Sequence, residues 1–162
     1  MPVEFNAAEV YEMAEEIERN GAKFYRKAAD QCEAEVRPLL LKLAGMEDQH
    51  EVTFKAMHAE LPPEASQPLV FDPDDEASAY LQAMADGYVF DVRSDPAEAL
   101  TGDETSVEVL KMALEREKES VVFFTGMKQM IPEELGKEKV QAIIEEEIDH
   151  IGFVSREIKA RT

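Results

Sequence analysis

Two of the chain's three histidines close the same four-residue pattern, Glu47-Asp48-Gln49-His50 and Glu147-Ile148-Asp149-His150. A Glu and a His three apart on a helix project from one face, so each pair can grip one metal ion. A solitary glutamate precedes each pattern: Glu18 lies 29 residues before Glu47, and Glu117 lies 30 before Glu147. Four carboxylates and two imidazoles form a donor set for two divalent cations. Oxygen-rich ligation with one histidine per ion suits iron or manganese, and zinc can occupy such a set as well. Four negative charges would match two divalent ions and leave no net charge, with the imidazoles coordinating while neutral.

One such pattern is ordinary surface decoration in a chain with 36 acidic residues. The weight comes from the elements that must carry it. Asn6-Ala7-Ala8-Glu9 reads as a capping box opening a first helix, whose apolar stripe runs Ala7, Tyr11, Ala14, Gly21, Tyr25, Ala28. Glu18 fills the vacant place in that stripe. A second helix starts near Pro38 and stops at Pro62-Pro63, with the stripe Leu40, Leu43, Glu47, His50, Phe54, Met57, Leu61. A third opens near Asp103 and carries Val107, Leu110, Leu114, Glu117, Val121 and Phe124 until Ile131-Pro132. After a turn at Gly136, a fourth carries Val140, Ile143, Glu147, His150, Val154 and Ile158. All four stripes are thus interrupted by Glu near the middle. Burying an ionised Glu without a partner costs several kcal/mol, so four such interruptions require a common cause, and a metal centre supplies one.

The register selects Glu147 from the run Glu145-Glu146-Glu147, leaving Glu146 and Asp149 as supporting or surface groups. Tyr25, two turns from Glu18 on the same face, either packs in the core or hydrogen-bonds a ligand carboxylate across the bundle. His58 is read as exposed and Cys32 as an ordinary thiol at a helix end. The six candidates are read as metal ligands, and the sequence identifies no catalytic residue.

The 162 residues suffice for one domain with a real core. It divides into a first helical hairpin over 6–61, a crossover over 62–103 with a short amphipathic helix around Ala77–Tyr88, and a second hairpin over 104–160. A helix of some 26 residues is about 39 Å long, and a connection of this length can traverse it. The fold class is therefore all-α, a four-helix bundle with one long crossover between helices 2 and 3. A formal charge of −19 argues against nucleic acid or an anionic membrane as partner. One cysteine excludes a disulfide framework and a four-thiolate site. With no leader-like or membrane-spanning apolar run, a cytoplasmic setting is expected.

The two halves repeat, Glu18 preceding Phe24-Tyr25 at the same offsets as Glu117 precedes Phe123-Phe124. With these residues the chain resembles the rubrerythrin family of ferritin-like proteins. Glu18-x5-Phe24-Tyr25 with Glu47-x2-His50 is similar to that family's first half, and Glu117-x5-Phe123-Phe124 with Glu147-x2-His150 to its second. The resemblance implies a ferritin-like fold and a non-haem di-iron centre that reacts with hydrogen peroxide or dioxygen, in oxidative-stress defence or iron handling. It also implies that Glu18 and Glu117 bridge the ions while the Glu-His pairs are terminal. The family's rubredoxin-like four-cysteine tail has no counterpart here, which implies electrons from a separate transfer protein. Where the family's third helix has an extra ligand Glu this chain has Ser120, and where a tyrosine is common it has Phe124. Two other functions fit the same residues: an iron-binding or storage-related protein with little turnover, and a helical interaction module with a structural zinc. A homodimer is the expected assembly.

Overall fold

The computed structural model describes residues 6–66, 79–80, 83 and 94–162. Four long helices dominate: α1 (Ala7–Gln31), α2 (Arg37–Ala59), α3 (Ser106–Met130) and α4 (Lys137–Arg161). Short 3-10 turns occur at Pro63–Ser66, Pro96–Ala99 and Glu133–Leu135, and no strand occurs among the described residues. Among these residues no helix is long and apolar enough to cross a membrane.

Local chemistry sets each boundary. Asn6 and Glu9 form the expected reciprocal cap on α1, so two otherwise orphaned N–H groups are satisfied. Pro38 occupies the first turn of α2, where its missing N–H costs nothing. Helix α3 begins three residues later than Asp103, because Thr105 and Glu108 form a second capping box that the sequence reading passed over. Gly136 turns the chain into α4 at φ +93°, a left-handed conformation that Gly adopts without steric penalty.

Helix α1 packs along α2, α3 packs along α4, and α1 also meets α3. These two hairpins are joined by the segment between Ala59 and Ser106. Ala79, Tyr80 and Ala83 in that segment are helical, and the Tyr80 hydroxyl donates to the Val122 carbonyl at 3.0 Å. The remainder of the short helix expected around Ala77–Tyr88 lies outside the described residues.

The apolar interior is split in two. One cluster gathers Tyr11, Phe54, Phe123, Phe124, Met127 and Val140; the other gathers Phe24, Tyr25, Leu40, Leu43, Leu110 and Val154. The mid-helix glutamates and histidines lie between the two in sequence along every helix, so a polar layer interrupts the core. His58 departs from its expected exposure: it stacks on Tyr11 and its Nδ1 lies 2.7 Å from Glu15, half-buried.

The entry to α3 is tied to α1 by one carboxylate. Glu104 accepts hydrogen bonds from the Thr101 and Gly102 amides, the Thr101 hydroxyl and the Gln31 side chain. The Thr101 amide is the main cause of a pKa lowered from 4.5 to about 2. A folded-state pKa below the unfolded value contributes stability that is complete above pH 4.5 and is lost as pH falls through about 2. Glu104→Gln should therefore flatten the fall of melting temperature across that window relative to the parent chain. Identical acid profiles for the two proteins would show that this carboxylate does not anchor the segment.

Candidate metal centre

The six candidate ligands sit near the middles of the four helices, one each on α1 and α3 and two each on α2 and α4, and all are buried: Glu18, Glu47, Glu117, Glu147 and His150 are 0% exposed and His50 is 2% exposed. They converge as two groups, Glu18-Glu47-His50-Glu147 and Glu47-Glu117-Glu147-His150, with the offered ligand atoms in each within 4.8 Å of one another. Glu47 and Glu147 belong to both groups.

The distances show how this sharing works. His50 Nδ1 lies 2.8 Å from Glu147 Oε1, 3.3 Å from Glu18 and 3.7 Å from Glu47 Oε2. His150 Nδ1 lies 3.5 Å from Glu117, 3.6 Å from Glu47 Oε1 and 3.6 Å from Glu147 Oε2. Glu47 and Glu147 each turn one oxygen toward each histidine. The rubrerythrin resemblance implied bridging by Glu18 and Glu117, whereas here Glu47 and Glu147 are the carboxylates that belong to both groups and face both histidines. The imidazole rings stack across the centre at 5.6 Å and 13°.

Neighbouring side chains orient the set. The Tyr25 hydroxyl donates to Glu117 Oε1, which is the second of its two sequence readings, while its ring lies in the core. His50 Nε2 meets Glu146 Oε2 at 2.9 Å, so a carboxylate at the rim fixes the ring whose Nδ1 faces inward. Asp149 is exposed.

Arg116 is the residue that sequence reasoning missed. It is 7% exposed, and its Nη2 lies 2.8 Å from Glu47 Oε1. Nη1 donates to Ser120 at 3.0 Å, and the guanidinium sits 5.3 Å from the Tyr25 ring centroid. The Nη2 contact is an ion pair without hydrogen-bond alignment, since Nη2 and Nε have no hydrogen-bond acceptor among the described residues. A misplaced face hid it. Val107, Leu114 and Val121, assigned to the stripe of α3, are only partly buried; the buried face is Val109, Leu110, Ala113, Arg116, Glu117, Ser120, Phe123, Phe124 and Met127. The ladder Val109, Ala113, Arg116, Ser120, Phe123, Met127 was the available signal. Gly21 was another: a Cβ there would meet Arg116 Nη2 at 1.8 Å.

Among the protein groups alone, burial raises Glu18 and Glu117 well above the usual carboxylate range, and neighbouring Glu47 adds to it. Burial also pushes Glu47 up, but the Arg116 charge and the close approach of Glu18 and both histidines outweigh it and hold Glu47 well down. Burial and the Glu47 charge raise Glu147, yet the close approach of Glu117 and the two histidines brings it to about 2. Burial disfavours the His150 cation, but the surrounding carboxylates raise its pKa to about 12 and raise that of His50 also.

No family model and no curated protein matches the chain. Its fold matches a solved structure from Thermotoga maritima, provisionally described as a ferritin-like diiron-carboxylate protein, with a TM-score of 0.73 at 21% identity over 98% of both chains. The chain is a ferritin-like four-helix bundle.

Two glycines on facing helices separate the demand of the centre from ordinary helix propensity. Gly45, on α2, has open space where a Cβ would stand, whereas Gly21 has the Arg116 guanidinium. Gly45→Ala should stabilise by about 0.5–1 kcal/mol. Gly21→Ala should cost about 1–3 kcal/mol, because a packed charged group must be displaced. Urea unfolding of both variants checks this, and a Gly21→Ala midpoint at or above the parent's would show that Arg116 does not need the gap.

Proposed function

We propose that the chain is a dinuclear metal protein of the rubrerythrin-like kind, an oxidoreductase that holds two iron ions and uses hydrogen peroxide or dioxygen as oxidant. The observation that carries the reading is the set of orphaned polar atoms at its centre. Glu18 Oε1, Glu117 Oε2, both oxygens of Glu47 and Glu147, and both nitrogens of His150 are buried without a hydrogen-bond partner among the described residues. An unsatisfied buried polar atom costs about 1–3 kcal/mol, more if charged, so this concentration is intelligible as a donor set for cations. The donor chemistry fits: carboxylate oxygens and imidazole nitrogens suit iron and manganese.

Glu18 and His50 would hold one ion, Glu117 and His150 the other, and Glu47 and Glu147 both. When bound, such a pair of ions exchanges electrons with a small oxidant. The chain's own residues do the rest. Tyr25 and Glu146 fix the orientation of Glu117 and His50. The two apolar clusters flank the layer, limiting water at the ligands and strengthening every charge interaction there. Electrons would come from a separate protein, and the molecule would act as a homodimer in oxidative-stress defence or iron handling.

Metal analysis after anaerobic loading tests the reading. The parent chain should hold two ions, Glu18→Ala one, and Glu147→Ala neither, because Glu147 serves both groups. Binding at a hundredfold excess over Kd should stabilise the fold by about 2.7 kcal/mol. A parent chain that binds no ion, or that binds zinc alone and in equal amount in both variants, would overturn it.

A further inference from the structure

We infer that Arg116 makes the loaded centre a receptor for one small monovalent anion. The inference rests on the dinuclear reading above and extends it to the kind of ligand the centre accepts.

Among the described residues Arg116 is the one buried group with a permanent positive charge; the other buried ionisable groups of the layer are Glu18, Glu47, Glu117, Glu147, His50, His150 and Tyr25, whose burial keeps it neutral. Arginine stays charged in any protein environment. Four carboxylates with two divalent ions are neutral. Adding Arg116 leaves one positive charge enclosed in a water-poor layer, where an uncompensated charge is costly. Neither Glu146 nor Glu119, which feels the Arg116 charge, cancels it, because the Glu146 side chain is 51% exposed and Glu119 is exposed, so solvent screens both. One monovalent anion does.

The site is constructed for this cation. Gly21 leaves the room that the guanidinium fills, Ser120 takes Nη1, and the Tyr25 face supports the plane. Nε and Nη2 remain as buried donors with no aligned acceptor among the described residues. Glu47 supplies a neighbouring charge at 2.8 Å but no hydrogen bond, and a carboxylate shared by two ions has less charge to offer the arginine. Donors that carboxylates do not satisfy suit an anion of azide or formate size.

The test uses the whole chain loaded with cobalt(II), whose visible bands report its ligands, and titrated with sodium azide. Two cobalt ions per parent chain and one azide per pair of cobalt ions are expected. Arg116→Gln should bind cobalt at least as tightly, since a repelling charge is gone, and bind azide at least tenfold more weakly; Arg116→Lys should lie between. Failure of the parent chain to bind two cobalt ions would overturn the dinuclear reading itself. Two cobalt ions without a saturable azide change would overturn the role of Arg116 alone, even if the variants do not fold. So would unchanged azide affinity in Arg116→Gln, or loss of cobalt from it, which would make the arginine a structural partner of Glu47.

Discussion

Four carboxylates buried around one point constrain everything else in this molecule. At a separation of 4.8 Å or less, two ionised carboxylates repel by roughly 3–4 kcal/mol at an effective dielectric constant near 20. A few such pairs equal the whole stability of a typical domain, about 5–15 kcal/mol. The bundle therefore cannot place Glu18, Glu47, Glu117 and Glu147 in one layer unless cations or protons join them. The opposed pKa directions express that conflict: Glu18 and Glu117 are driven toward the neutral acid, while Glu47 and Glu147 hold their charge against Arg116 and the histidines.

The packing around the layer follows from it. Two apolar clusters hold the helices together on either side, so the polar residues need not contribute to cohesion. Their geometry can then be set by chemistry. Small residues admit large polar ones: Gly21 makes way for Arg116, and Ser120 is short enough to leave the guanidinium beside Glu47. Tyr25 serves twice, its ring under the arginine and its hydroxyl on Glu117. The histidines present Nδ1 inward, and among the described residues only His50 has a carboxylate behind it, so the halves of the repeat are unequal in their surroundings.

Much of this was legible from period and spacing. An apolar stripe broken once by Glu is conspicuous on a helix, and in α1, α2 and α4 the broken position proved to be buried with the rest of its stripe, apart from the partly buried terminal Leu61 and Ile158. In α3 the same logic located Glu117 but set the stripe one flank away, because Val107, Leu114 and Val121 are as apolar as the residues that are buried. A charged side chain beside the stripe then passed as surface. Arg116 is visible only when its partners on another helix, Gly21 and Glu47, are seen together, and such pairing across helices has no period to reveal it. The same limit explains why the central placement of Glu47 and Glu147 was not foreseen, since spacing along a helix does not say which carboxylate lies between two histidines. Caps were easier: Asn6-Glu9 was recognised, while Thr105-Glu108 was overlooked in favour of the acidic residue before it.

Anomalous diffraction at the iron edge, from crystals of the iron-loaded chain, tests the central claim most directly. The account predicts two peaks about 3.5–4 Å apart. One should lie against Glu18 and His50 and the other against Glu117 and His150, with Glu47 and Glu147 reaching both. A single peak, or iron only at the exposed acidic residues, would contradict it.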